Sequence, residues 1–149
     1  GKGDDNVEGN DGDDQIWTEE GFDTVKGGLG NDVIDSGKDD DIVEGNEGDD
    51  TINAGDGRDT VKGNDGNDVI RGGAGADNIE GNAGDDQIFG EADGDRIWGG
   101  TGNDQINAGS GTNFIWGEDG NDNITSGNDP DTIVGGAGND VISSGDGTD

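Results

Sequence analysis

The sequence of 149 residues contains no cysteine, histidine, methionine or tyrosine, and it has a single proline. Without cysteine, no disulfide can stabilise the fold. Without histidine, cysteine and tyrosine, the chain also lacks the commonest catalytic nucleophiles and the bases that titrate near neutral pH. Any bound metal ion must therefore be held by hard oxygen ligands.

Basic and apolar residues are also scarce. Seven Lys and Arg residues stand against 38 Asp and Glu, so the formal net charge is −31, and only 23% of the residues are hydrophobic. This negative charge excludes nucleic acid and anionic membrane surfaces as partners. No apolar run approaches the ~20 residues of a transmembrane helix, which excludes membrane insertion. Low hydrophobicity with high charge is typical of disorder, so we expect that the chain does not fold alone in plain water.

What the chain does contain is a nine-residue repeat that runs through its whole length without insertion or deletion. The sixth position is Asp in sixteen of seventeen repeats, with Asn113 as the exception. The eighth position is always Val or Ile. The residues at the eighth position are Val7, Ile16, Val25, Ile34, Val43, Ile52, Val61, Ile70, Ile79, Ile88, Ile97, Ile106, Ile115, Ile124, Ile133 and Ile142. A disordered acidic segment has no reason to keep such a register.

The repeat resembles the RTX (repeats-in-toxin) calcium-binding nonapeptide, G-G-x-G-x-D-x-U-x, in which U is a large apolar residue. The resemblance covers all 149 residues. It implies an all-β fold, a parallel β-roll or β-solenoid with 18 residues per coil, about eight coils and Ca²⁺ in the turns on both edges. Within each repeat we expect six residues of turn and a three-residue strand whose middle side chain points inward. Residues 1–149 would form one such segment of a longer chain or filament.

In a roll of this kind, the sixth-position carboxylates form one column along each edge, and turn carbonyls and carboxylates are the ligands that Ca²⁺ prefers. The candidate ligands of the first edge are Asp14, Asp32, Asp50, Asp68, Asp86, Asp104, Asp122 and Asp140, with the carbonyls of turns such as Gly9, Gly27, Gly45, Gly63, Gly81, Gly99, Gly117 and Gly135. Those of the second edge are Asp5, Asp23, Asp41, Asp59, Asp77, Asp95, Asp131 and Asp149. At most about 15 Ca²⁺ would fit between the stacked turns.

The two edges differ in sequence. Every first-edge turn has Gly at positions one and four, whereas all the departures fall on the second edge. Its unusual first positions are Thr18, Ser36, Ala54, Ala108, Ser126 and Ser144, and its other departures are Asp39, Asp93, Asn113, Asp129 and Pro130. We therefore expect Ca²⁺ at every step of the first edge and fewer or weaker sites on the second, least of all near Asn113. Neutral drift is the alternative explanation.

The ninth position of each repeat faces outward. Along one sheet it alternates in sign through Glu8, Lys26, Glu44, Lys62 and Glu80, which predicts a modest ladder of ion pairs or simply a solvated face. The same column then becomes apolar. An exposed apolar patch usually marks contact with a partner, although aromatic side chains can also stack merely to stiffen a sheet. The patch consists of Trp98, Trp116, Phe114 and Val134.

Paired carboxylates such as Asp39 and Asp41 are the one pattern that suggests acid–base catalysis. They lie in the repeated turns and no other catalytic group accompanies them, so we predict that the segment is not an enzyme. The absence of catalytic insertions favours a calcium-dependent structural rod, a segment of a secreted surface fibre, surface layer or adhesin, which Ca²⁺ folds outside the cell.

Calcium would be its main partner. Copies of itself, end to end or side by side, and surface polysaccharide are further candidates. The alternative is the repeat module of a larger secreted enzyme or toxin, where it would aid secretion, folding or polysaccharide contact. Ice binding would require a flat outward column of Thr. The outward columns here are mixed, so the sequence does not favour it.

Overall fold

The computed structural model describes all 149 residues, and its regular structure consists of sixteen short β-strands. The strands are β1 (Asn6–Asp11), β2 (Gln15–Trp17), β3 (Thr24–Leu29), β4 (Val33–Lys38), β5 (Ile42–Glu47), β6 (Thr51–Asp56), β7 (Thr60–Asp65), β8 (Val69–Ala74), β9 (Asn78–Ala83), β10 (Gln87–Ala92), β11 (Arg96–Thr101), β12 (Gln105–Asn107), β13 (Phe114–Asp119), β14 (Asn123–Thr125), β15 (Thr132–Ala137) and β16 (Val141–Ser143). No helix is long and apolar enough to cross a membrane.

The strands alternate between two parallel sheets of eight. The odd-numbered strands form one sheet and the even-numbered strands form the other, each in sequence order. Val25 pairs with Val43 in the first sheet, and Ile52 pairs with Ile70 in the second, so one coil takes 18 residues. This architecture confirms the predicted parallel β-roll of about eight coils.

Most strands are longer than the three residues that we predict from the sequence. Only β2, β12, β14 and β16 have three residues, whereas the other twelve have six and continue into the next repeat. Pairing passes from Lys26–Glu44 to Gly28–Asn46 and skips position one. The residue at position two has a positive φ, as at Asn46 (φ 82°), and asparagine is the non-glycine residue that best tolerates this conformation. The strand therefore bends at this point without ending.

The hydrophobic core is a double row of β-branched aliphatic side chains. Each strand contributes its eighth-position Val or Ile, and these side chains are fully buried through the middle of the roll. Towards the ends, Val7 and Ile133 are only partly buried, and Ile142 is 47% exposed. Because each half-coil supplies only one such side chain, the interactions at the two edges must provide much of what holds adjacent coils together.

The alternating charges of the outer column form pairs rather than a continuous ladder. Lys26 Nζ lies 2.9 Å from Glu44 Oε2, and Lys62 Nζ lies 2.7 Å from Glu80 Oε2. Each pair joins residues one coil apart. All four side chains are partly exposed, so each pair contributes little to stability.

Candidate functional site

The sixth-position aspartates form a hydrogen-bonded column along each edge. The backbone N–H of Asp50 donates to Oδ1 of Asp68, one coil on, at 2.8 Å. The second edge repeats the arrangement, with the N–H of Asp59 donating to Oδ1 of Asp77 at 2.8 Å. From the second coil onward, one oxygen of each carboxylate is thus bonded to the preceding turn.

The other oxygen of these carboxylates is buried and has no hydrogen-bond partner. Thirteen of the sixteen predicted aspartates share this property: Asp14, Asp23, Asp32, Asp41, Asp50, Asp59, Asp68, Asp77, Asp86, Asp95, Asp104, Asp122 and Asp131. The remaining three, Asp5, Asp140 and Asp149, lie in the terminal coils and are less buried. Burying an unpaired carboxylate oxygen is costly, so the columns point to a cation as the missing partner.

Burial also changes the acidity of these groups. It raises the pKa of Asp50, Asp59, Asp77, Asp86 and Asp95 to about 7 from an ordinary value of 3.8. The backbone N–H that each accepts lowers the pKa, but by less than desolvation raises it. Desolvation disfavours the charged form, and a bound cation would reverse that preference.

A second oxygen faces each unpaired carboxylate oxygen across the first position of the turn. A Cβ atom placed on Gly27 would lie less than 3.0 Å from both Asp32 Oδ2 and the carbonyl oxygen of Gly45. The backbone of Gly27 is outside the left-handed region, so glycine is needed there for space rather than for conformation. We call this space, between a carboxylate oxygen and the carbonyl of the next coil, a cradle.

Seven cradles follow one another along the first edge. They lie at Gly9, Gly27, Gly45, Gly63, Gly81, Gly99 and Gly117. No three Asp or Glu side chains converge on one point, so an ion in a cradle would meet one carboxylate oxygen together with backbone carbonyls. Carboxylate and carbonyl oxygens are the donor set of Ca²⁺, and the residues present therefore fit this ion.

The first edge carries a further ladder that sequence reasoning missed. At the fifth position, Asn67 Oδ1 accepts the backbone N–H of Asp85 at 2.8 Å, and the N–H of Asn67 donates to Asp49 Oδ1 at 2.8 Å. This outer ladder is unbroken through Asp13, Asn31, Asp49, Asn67, Asp85, Asn103, Asn121 and Asn139. The signal in the sequence is the Asp or Asn that stands at position five of every first-edge turn.

The second edge lacks most of the outer ladder, and side chains replace several of its glycines. At the fifth position, only Asp4 and Asp40 accept the corresponding N–H one coil on. The first-position side chains at 18, 36, 54, 108 and 126 are buried at the edge. The sequence predicted that the edges differ, and the structure shows the difference in packing that results.

The aromatic residues of the predicted patch lie together on the outer face of the odd-numbered sheet. The rings of Trp98 and Trp116 stack with centroids 5.1 Å apart at 6°, and Phe114 stacks on Trp116 at 6.5 Å. Val134, the partner of Trp116 in the next strand, is 45% exposed. The four residues form one partly exposed apolar surface.

A family model described as RTX calcium-binding nonapeptide repeat (4 copies) matches seven stretches of the chain, most of which overlap. These are residues 1–25, 17–52, 26–61, 62–97, 89–124, 98–133 and 116–149, which together cover the whole sequence. Repeats of this type bind Ca²⁺ in their turns, are themselves non-catalytic and are typical of secreted proteins. A search of curated proteins finds no match.

Proposed function

The chain belongs to the RTX calcium-binding nonapeptide repeat family, and on that basis we propose that it is a calcium-dependent structural rod. It would form a segment of a secreted surface fibre, surface layer or adhesin. The observation that carries the proposal is the set of thirteen buried, unpaired carboxylate oxygens, which form a column along each edge that is interrupted at Asn113 and ends in the terminal coils. Cations would neutralise these columns.

The carboxylates and turn carbonyls of this chain would hold the ions. Asp50 Oδ2 and the carbonyl oxygen of Gly63, for example, lie on either side of the cradle at Gly45 and belong to adjacent coils. Bound Ca²⁺ supplies positive charge at a point where two coils meet. Because the unfolded chain does not bring these oxygens together, the free energy of binding becomes free energy of folding.

The secreted location follows from the same dependence. Calcium is scarce inside cells and abundant outside them, so a chain with unfilled edges would remain unfolded until export. The net charge of −31 would keep it soluble and extended in that state. Folding would then accompany the first contact with extracellular calcium.

The regular coils support a mechanical role. Eight coils at ~4.8 Å per step give a rod of roughly 40 Å, with no insertion between repeats that could build a catalytic pocket. We propose that residues 1–149 are one stretch of a longer chain or filament. The patch of Trp98, Trp116, Phe114 and Val134 would be its contact surface for another copy or for surface polysaccharide, because flat aromatic rings offer broad contact area to either.

Far-UV circular dichroism during a calcium titration tests the proposal. We expect a disordered spectrum in metal-free buffer and a cooperative gain of β-structure as calcium is added. A chain that is already folded in excess chelator would overturn the calcium-dependent part. Electron microscopy of the same loaded sample tests the fibre: strictly monodisperse particles at high calcium and protein concentration would contradict assembly into filaments.

A further inference from the structure

We infer that the second edge has two open calcium cradles, at Gly72 and Gly90, and that its other steps are closed by the chain's own side chains. The inference rests on the proposed binding of calcium in the turns, and it names which turns bind. The residue at the first position of each turn determines whether an ion can bind there, because it faces both the carboxylate of its own turn and the carbonyl of the next coil.

At three second-edge steps, where one turn meets the turn of the next coil, the first-position hydroxyl donates a hydrogen bond to the next-coil carbonyl. Thr18 Oγ1 donates to the carbonyl oxygen of Ser36 at 2.8 Å, and Ser36 Oγ donates to that of Ala54 at 2.9 Å. Ser126 Oγ makes the longer equivalent bond to Ser144 at 3.5 Å. The first-edge glycines have no side chain with which to make such a bond. Asp23, Asp41 and Asp131 keep an unpaired Oδ2 in these turns, so the steps differ from open cradles in the carbonyl and the space and not in the carboxylate. A carbonyl that already accepts a hydroxyl, beside a filled space, is a poor ligand for an ion.

Methyl groups fill the space at two more steps. Ala54 and Ala108 are both 0% exposed, and each stands where a cradle glycine would leave room. Asp59 keeps a buried, unpaired Oδ2 beside Ala54. That step therefore differs from an open cradle by its occupied space and not by its carboxylate.

At Asn113, the side-chain amide makes the contacts that an ion would make in a cradle. Its Oδ1 accepts the backbone N–H of Asp95 at 2.9 Å, as an aspartate does in every other coil. Its Nδ2 donates to the carbonyl oxygens of Gly111 at 3.1 Å and Ser126 at 3.2 Å. The amide thus bonds to the next-coil carbonyl that would face an ion in a cradle, and it has no unpaired oxygen left.

Only Gly72 and Gly90 retain the first-edge arrangement. A Cβ atom on Gly72 would lie 2.5 Å from Asp77 Oδ2 and 3.0 Å from the carbonyl oxygen of Gly90. A Cβ atom on Gly90 would clash with Asp95 Oδ2 and lie 2.6 Å from the carbonyl oxygen of Ala108. Asp77 and Asp95 are 1% and 0% exposed, and the Oδ2 of each has no partner. The two cradles are adjacent, in the middle of the rod.

Counting bound calcium tests the inference directly. Seven first-edge cradles and two second-edge cradles predict nine Ca²⁺ per chain. Their charge of +18 would reduce the formal net charge from −31 to −13. Native mass spectrometry or equilibrium dialysis of the full chain at saturating calcium gives the number. A count of seven ions would show that Gly72 and Gly90 do not bind calcium. A count near fourteen would show that the steps inferred to be closed bind it as well. Absence of binding would instead contradict the proposed function.

Three variants locate the sites. Gly72→Ala should lower the number of bound ions by one, and Ala54→Gly should raise it by one because it opens the space between Asp59 Oδ2 and the carbonyl of Gly72. Ala137→Gly is the control, since its exposed side chain lies at the end of β15, outside any cradle. A general loss of stability cannot raise the number. An unchanged number in both Gly72→Ala and Ala54→Gly would overturn the inference.

Discussion

The backbone N–H of Asp50 donates to Oδ1 of Asp68 at 2.8 Å, while Oδ2 of the same Asp68 carboxylate is buried without any partner. This carboxylate therefore has two roles in the fold. It joins its own turn to the preceding coil, and it leaves an oxygen that only a cation or a proton can satisfy. This division explains why removing the charge should have opposite effects with and without calcium.

Asp68→Asn tests that division. In metal-free buffer the variant should be more stable than the parent by about 1–3 kcal/mol, because it removes a buried unpaired charge and the amide can donate as Asn113 does. At saturating calcium it should bind one ion fewer and become the less stable of the two. Circular dichroism in metal-free buffer, where the parent is expected to be disordered, measures the first effect as a gain of β-structure, and thermal unfolding at saturating calcium measures the second. A variant that binds the full number of ions and is as stable as the parent at saturating calcium would contradict the explanation.

Gly81→Ala should fill a first-edge cradle. The added Cβ would lie less than 3.0 Å from Asp86 Oδ2 and from the carbonyl oxygen of Gly99, although the backbone itself does not require glycine. We expect the loss of one bound ion and a lower melting temperature at saturating calcium. Gly1→Ala is the control, because its Cβ would contact only Asp5 Oδ2 at an ordinary 3.5 Å. A full set of ions in Gly81→Ala would contradict the role of the cradle.

Acid should promote folding of the calcium-free chain. Burial raises the pKa of Asp50 and Asp77 to about 7, and that of Asp68 to about 6, all above the unfolded value near 3.8. Groups of this kind stabilise the folded state fully below the unfolded pKa, and that contribution is lost as the pH rises through 6 to 7. Circular dichroism in metal-free buffer should therefore show more β-structure at pH 4.5 than at pH 8.

Protons should replace calcium in the folded chain. Both neutralise the same buried carboxylate oxygens, so at a fixed calcium concentration the number of Ca²⁺ bound per folded chain should be lower at pH 6 than at pH 8. Equilibrium dialysis at the two pH values measures this number. A number that does not change with pH would show that the buried carboxylates are not the groups that calcium neutralises.

Asn67→Ala tests the outer ladder. The variant loses the bond from the N–H of Asp85 to Asn67 Oδ1 and the bond from Asn67 Nδ2 to Asp49 Oδ1. Each exposed bond is worth about 0.5–1.5 kcal/mol at most, so we expect a loss of about 1–2 kcal/mol in chemical unfolding of the loaded chain. Thr112→Ala, at the same position of the second edge, should have almost no effect, because the Thr112 side chain makes no such bond. Equal effects of the two variants would contradict a structural role for the ladder.

The resemblance to RTX repeats predicts most of the fold, because it implies 18 residues per coil. Residues 18 apart then stack, so the columns that contain Asp50 and Asp68 can be written down before the structure is known. The strand lengths could not be predicted in this way. Glycine and asparagine usually mark the end of a strand, whereas here the positive φ at Asn46 and Asn64 bends a strand that goes on pairing.

Contacts between coils also cannot be predicted from the sequence of a single repeat. Asp49 and Asn67 look like ordinary turn residues, and only the stacked register shows that one accepts from the other. In neighbouring strands of the even-numbered sheet, the guanidinium of Arg71 lies 4.5 Å from the centroid of the Phe89 ring. Both contacts join residues 18 apart, and neither follows from composition or local propensity.

The two ladders of the first edge run in opposite directions. In the inner one the earlier coil donates, from Asp14 to Asp32, and in the outer one the later coil donates, from Asn31 to Asp13. Tension along the rod would load both ladders at each first-edge step, but mostly a single ladder at each second-edge step. A stretched rod should therefore open at its second edge and bend towards its first, so that its stiffness depends on the direction of pull.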